Sequence, residues 1–243
     1  MPRVRVVLVA PERPANVGAV ARIVRNTGLD GVDLVAPGDW RTVECWRTAW
    51  GAHEVLEQVR VYESVGEALA EVELAVGLSG RRDAGIAPLD VREAAARVAA
   101  LAPGALAALV LGSESAGLDR EALARVAIRA RIPTDPAQPS LNLSHAAAVA
   151  ACEVHRALRG ATPAGPRLAR HDEVERVLRL LRPGLRSVGA LPAHAEAGHF
   201  REWRAMLHRA ALTPRHLKLI EHLAHRLALT AGTPDGRDAP GGE

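Results

Sequence analysis

Short apolar runs alternate with stretches of helical spacing from Val4 to Ile132, and this alternation constrains the fold more than any other feature. Residues 4–10 (VRVVLVA) are β-branched and aliphatic and stop at Pro11, the pattern of a strand buried on both faces. In the next stretch Val17, Val20, Ala21 and Val24 recur at helical spacing, with Asn16 placed to cap the start and Gly28 the end. Further strands are predicted at 32–35, 59–62, 74–77, 107–111 and 129–132. Helices are predicted at 41–56 (broken near Gly51), 64–70, 90–101 and 143–158. Alternating strands and helices of this kind predict an α/β fold, a mostly parallel sheet with helices on both faces.

The alternation ends at the turn-rich run Gly160 to Pro166 (GATPAGP), which reads as a linker. Beyond it, amphipathic helices are predicted at 169–181, 196–210 and 214–229. The expected organisation is a catalytic domain at 1–160, a small all-α extension at 161–230 and a disordered Gly- and Pro-rich tail at 231–243. A chain ending at Gly160 is then expected to keep whatever the first domain binds as a small molecule.

Charge separates the same two parts. Residues 1–160 carry 18 arginines against 19 acidic side chains, whereas residues 161–243 carry 13 basic against 9 acidic. A basic extension fits a polyanionic partner, since clustered cations release counterions from phosphate chains. Cys45 and Cys152 form no CxxC pair, which argues against a structural zinc or a disulfide framework and fits a cytoplasmic protein. The apolar start is about seven residues, too short to span a membrane.

Ligands of an α/β sheet bind beyond the carboxyl ends of its strands, so three strand-end loops carry the chemistry. The first, Pro14 to Arg22 (PANVGAVAR), opens a helix after the first strand and aims free N–H groups at the loop. The second, Leu111 to Leu118 (LGSESAGL), is bracketed by glycines like a phosphate loop. Leu118 and Asp119 stand where that loop needs lysine and a hydroxyl, and Glu114 has the wrong sign for a phosphate. No GxGxxG follows the first strand, so a dinucleotide-binding domain is not supported either. The third loop runs from Ile132-Pro133 to Pro139-Ser140-Leu141-Asn142-Leu143-Ser144, where three polar side chains alternate with leucines at a helix start. Each loop taken singly is also explained by capping and turn formation.

Together, in this order, the three loops resemble the SPOUT superfamily of methyltransferases, in its TrmH-like branch and closest to the TrmJ type. Trp203 to Thr213 (WRAMLHRAALT) is similar to that group's C-terminal segment. Ser113 replaces an arginine of the usual second motif, and Cys152 a familiar tyrosine. The resemblance implies a C-terminal trefoil knot in the catalytic domain and a homodimer with the active site at the subunit interface. It implies S-adenosylmethionine as cofactor, held among Leu78, Ser79, Gly80, Gly112, Ile132, Ser140, Leu141 and Asn142. Arg22 would hold the target phosphate and ribose 2′-oxygen, with Asn16, Glu114, Ser140 and Asn142 ordering the site. The implied substrate is RNA, and the implied reaction 2′-O-methylation of a pyrimidine at tRNA position 32 in the anticodon loop. Alternatives are a ribosomal RNA substrate, or a catalytically silent RNA-binding protein of the same fold.

Three other features read as structure first. His216, His222 and His225 share a helical face without cysteine or carboxylate company, so no metal is expected. Trp40, Trp46 and Trp50 are expected to pack beneath the sheet or at a dimer interface. Arg81 and Arg82 follow the expected cofactor loop and are equally well surface arginines or phosphate contacts.

Overall fold

The computed structural model describes residues 1–79, 87–160 and 165–231. Seven strands form one all-parallel sheet: β1 (Arg3–Val9), β2 (Gly31–Val35), β3 (Arg60–Tyr62), β4 (Leu74–Leu78), β5 (Leu89–Asp90), β6 (Leu106–Leu111) and β7 (Ile128–Arg131), in the order β3-β2-β1-β6-β4-β7-β5. Side chains two apart share a face of a strand. Val4, Val6 and Leu8 of β1 therefore join Ala107, Leu109 and Leu111 of β6 on one side of the sheet. Val7 joins Ala108 and Val110 on the other.

The first face is covered by α1 (Pro14–Thr27), α2 (Val43–Thr48), α3 (His53–Glu57), α5 (Val91–Ala99) and α7 (Leu143–Gly160). The second is covered by α4 (Val65–Leu69) and α6 (Arg120–Arg125). Helices α1 and α2 approach so closely that a Cβ on Gly18 would lie 2.0 Å from the Cys45 carbonyl oxygen. Only glycine fits there. The Thr48 hydroxyl fixes the approach by donating to Ala15 O at 3.0 Å.

The strand at 89–90 and the helix at 120–125 are additions to the elements predicted from sequence. Both are short, and neither shows a full period of hydrophobic spacing. Strand β7 lies between β4 and β5, which are consecutive in the chain. The expected knot turns on how the connection 79–88 crosses the chain after β7, and residues 80–86 of that connection lie outside the described residues.

Helices α8 (His171–Ser187), α9 (Glu196–Arg209) and α10 (Pro214–Ala231) build a core of their own around Val177, Leu178, Leu181, Leu207 and Leu217. Helix α8 runs beyond the predicted stop and carries Pro183 inside it. This small core is docked on the sheet domain through its backbone. His171 N–H donates to Val72 O at 2.9 Å and Asp172 N–H to Ala70 O at 3.0 Å. Leu168 N–H donates to the Glu73 carboxylate at 3.0 Å. The tail predicted to be disordered lies outside the described residues from 232 on. Among the described residues no helix is long and apolar enough to cross a membrane.

Candidate functional site

Parallel pairing brings the carboxyl ends of β4, β6 and β7 to one edge, with Leu78 in register with both Leu111 and Ala130. A pocket of about 360 Å³ opens at that edge. Leu78, Ile132, Leu141 and Leu143 give it apolar walls, and Ser79, Ser113, Glu114 and Ser140 its polar ones. Ser79 N–H donates to Ala130 O at 3.1 Å, which ties the end of β4 to β7.

The second loop is folded back on itself. Gly117 N–H donates to Ser113 O at 2.9 Å, and Gly117 takes a left-handed conformation at φ +66°. A Cβ on Gly112 would lie 2.0 Å from the Gly117 carbonyl carbon, so the loop closes only over a glycine. Leu118, 2% exposed, then plugs into the core beneath.

Loops one and two hold each other. The Glu114 carboxylate accepts from Glu12 N–H at 2.8 Å, Arg13 N–H at 3.1 Å and Asn16 Nδ2 at 2.6 Å. Arg13 is the N-cap of α1 and makes no side-chain cap, so the acceptor at this helix start comes from the distant loop. An anionic group there also meets the positive end of the helix. In return the Ser115 hydroxyl and N–H donate to the Glu12 carboxylate. The Ser115 hydroxyl bond is the main reason the Glu12 carboxyl lies below the ordinary carboxylate range. Glu12 was invisible as a site residue in the sequence, because nothing local distinguishes it from a surface acid.

Asn16 differs from its sequence-based assignment. It lies inside α1 rather than at its cap, is 6% exposed, and gives its amide to Glu114. The acceptor at the start of α1 is Glu114, and Asn142 caps α7, where its Oδ1 accepts from Ser144 N–H at 2.9 Å and the Ser144 hydroxyl at 2.7 Å. Asn142 does not line the pocket, whereas its neighbours Ser140 and Leu141 do. Arg22 is exposed on α1, outside the pocket lining, with no hydrogen-bond or ion-pair partner among the described residues. Gly80, Arg81 and Arg82 lie outside the described residues. Of the tryptophans, Trp40 is buried, Trp46 packs against the core, and Trp50 is 72% exposed.

A second polar cluster, where the extension meets α6, went unseen in the sequence. The His171, Glu175 and His208 ligand atoms lie within 4.8 Å of one another. The two imidazoles are stacked, with centroids 4.3 Å apart and planes 14° apart, so their in-plane lone pairs run side by side and do not converge. Glu175 Oε1 already accepts from His208 at 3.0 Å, Arg204 at 2.8 Å and Arg125 at 3.3 Å. This is an ion-pair hub. Burial works to raise the Glu175 carboxyl, but the His208 hydrogen bond and the two guanidinium charges hold it at about 2.

Residues 3–152 match the SpoU rRNA Methylase family. The chain is 38% identical over 157 residues to the tRNA (cytidine/uridine/adenosine-2′-O-)-methyltransferase TrmJ of Pseudomonas aeruginosa, a stretch covering 64% of this chain and 61% of that protein. The match thus spans less than two thirds of that relative's length. The crystal structure of TrmJ from Z. mobilis ZM4 superposes with a TM-score of 0.81 at 27% identity, over 94% of this chain and 99% of the other. The SpoU methyltransferase AviRb from Streptomyces viridochromogenes, solved in complex with AdoMet, shares the fold at a TM-score of 0.54 and 20% identity, over 65% of this chain and 62% of the other.

Proposed function

The chain belongs to the SpoU rRNA methylase family, and from that premise we propose that it is an S-adenosylmethionine-dependent RNA 2′-O-methyltransferase whose substrate is tRNA. One observation carries the reading: Glu114 and Asn16 lock the first loop onto the second beside a pocket with apolar walls.

The pocket suits the cofactor. Its volume is within the range of small-molecule sites, and its walls pair aliphatic side chains with a few polar groups. Leu78, Ser79, Gly112, Ile132, Ser140 and Leu141 would hold it, with Gly80 beside them in sequence and Asn142 fixing the end of the third loop through its cap on α7. When bound, S-adenosylmethionine supplies a methyl group on a sulfonium, which needs no metal to be transferred.

The protein's own task is to present an oriented, desolvated oxygen. A guanidinium donates hydrogen bonds and has no acceptor to offer, so Arg22 acts as an electrostatic anchor for the target phosphate and for developing alkoxide charge. Asn16 and Glu114 keep α1, and hence Arg22, in place relative to the pocket. Arg22 stands outside the pocket lining of its own chain, and α7 beside it exposes His145, Val149 and Cys152 on one face. A homodimer that covers this face and completes the site fits both facts. The domain division at 160, with a basic extension for RNA, belongs to the same proposal.

The deciding experiment maps ribose methylation in total RNA from cells with and without the gene. A single tRNA ribose losing its methyl group in the deletion supports the reading; a site in ribosomal RNA changes the substrate; no lost site at all refutes the activity.

A further inference from the structure

Helix α6 is the structural link between the pocket and the helical extension. Its start is the end of the second loop: Leu118 is buried, Asp119 Oδ1 caps the helix by accepting from Ala122 N–H at 2.7 Å, and α6 follows directly. Leu118, Ala122, Leu123 and Val126 share one buried cluster, so loop and helix move as one piece.

The other side of α6 is held by the extension. Arg204 of α9, only 14% exposed, donates from Nη1 to Glu121 of α6 at 2.6 Å and from Nε to Glu175 of α8 at 2.8 Å. Arg125 of α6 answers from the opposite direction, to Glu121 at 3.1 Å and to Glu175 at 3.3 Å. Two guanidiniums and two carboxylates thus form a closed ring across the seam, with His208 as a further donor to Glu175. Planar forks of this kind fix orientation as well as distance.

We infer that Arg204 is a positioning residue for the S-adenosylmethionine pocket, acting through Glu121 and α6 on the loop 112–118. The inference rests on the proposed reading of that pocket. It gives the extension a role besides contact with RNA: it braces the cofactor loop from behind. Loss of Arg204 leaves Glu121 with Arg125 alone and Glu175 with Arg125 and His208, and removes the ion pair that ties α9 to α6. Couplings carried through such contacting networks run from about fivefold to about a hundredfold in affinity.

The test compares ligand-free and cofactor-bound protein. Calorimetric titration with S-adenosylmethionine should show about tenfold weaker binding for Arg204→Ala, and Arg204→Lys should recover part of it. Hydrogen exchange on the ligand-free protein should quicken at the Ser115, Ala116 and Gly117 amides, which are bonded to Glu12 and Ser113 in the intact loop. Leu217→Ala is the control, because Leu217 is buried in the extension's own core. It should lower Tm at least as much while leaving cofactor affinity and loop exchange unchanged. Equal losses in Leu217→Ala would reduce Arg204 to a general stabiliser, and wild-type affinity with wild-type exchange in Arg204→Ala would refute the brace outright. Wild-type protein that binds no S-adenosylmethionine refutes the pocket reading and this one with it. Should Arg204→Ala not fold, Glu121→Gln carries the same expectation in weaker form from the α6 side.

Discussion

Asn16 and Glu114 are 98 positions apart in the chain and meet at 2.6 Å, amide to carboxylate, at the mouth of the pocket. The same carboxylate takes two backbone N–H groups at the head of α1. Three donors therefore depend on one acceptor. Glu114→Ala would leave all three without it, at about 1–3 kcal/mol for each buried group left unpaired. The outer two are exposed to water, so the cost should fall near the lower end for them. Single-turnover methylation should drop about 10- to 100-fold. The Asn16→Ala/Glu114→Ala double variant should lose little more than Glu114→Ala, since both remove one contact. Additive losses would mean that the two residues act separately.

Arg22 is the side chain on which the proposed chemistry depends most. Its guanidinium offers two parallel donors, which an ammonium cannot reproduce. Arg22→Lys should therefore lose about 10²- to 10³-fold in single-turnover rate despite keeping the charge, the usual cost of removing one oriented contact from a transition state. Cofactor affinity, measured by calorimetry, should be unchanged, because Arg22 does not line the pocket. Arg22→Ala methylating at the wild-type rate would place the active site elsewhere.

The seam between sheet and extension should be sensitive to acid in two stages. Burial first, and then the neighbouring His208, lower the His171 imidazole to about 3, with Glu175 pulling the other way. A folded pKa below the unfolded value of about 6.5 means that the unfolded chain binds the extra proton. His171 thus contributes stability in full above about pH 6.5 and loses it as the pH falls toward 3. Glu175 behaves alike from 4.5 down to about 2. Tm should fall with pH below 6.5, and His171→Leu should flatten the stretch between 6.5 and 4.5 and lessen the slope from there to about 3, leaving the part that Glu175 contributes. An unchanged profile in His171→Leu would assign that limb to other groups.

Strands β1, β2, β4 and β6 were legible because an apolar run stopped by proline or a turn fits little else. Gly112 and the polar set of the third loop were legible for a similar local reason: a glycine and a cluster of caps at strand ends mark a built loop. What stayed hidden is relational. Nothing near Glu12 tells that Ser115 will donate to it, and the sequence around Asn16 favours a cap, although in the folded chain the acceptor at the head of α1 is the distant Glu114. The hub at Glu175 draws on α6, α8 and α9 at once, and charge counting set Arg204 in a basic extension and Arg125 in a nearly neutral domain without pairing them. Arg170, Arg176, Arg182, Arg186 and Arg204 are in fact paired with acids inside or beneath the extension.

That pairing alters what a truncation should do. An extension joined by a Gly- and Pro-rich linker is expected to be separable, leaving cofactor binding intact in a chain that ends at Gly160. The structure covers α6 and the backbone at 70–73 with that extension, through His171, Asp172 and Arg204. Removing it would strip the acceptor Glu175 from Arg125 and leave the carbonyls of Ala70 and Val72 to water. The truncated chain should therefore bind S-adenosylmethionine about tenfold more weakly than the full chain, in line with the coupling expected for Arg204→Ala. It should also lose RNA affinity, and the full chain's RNA affinity should fall steeply with salt, because phosphate contacts release counterions. The two losses can be separated. A full-length Arg204→Ala variant keeps the basic residues of α10, such as Arg215 and Lys218, and should show the cofactor defect with near wild-type RNA binding. If the truncated chain instead binds cofactor as the full chain does, the extension serves RNA alone and the contacts across the seam are only structural.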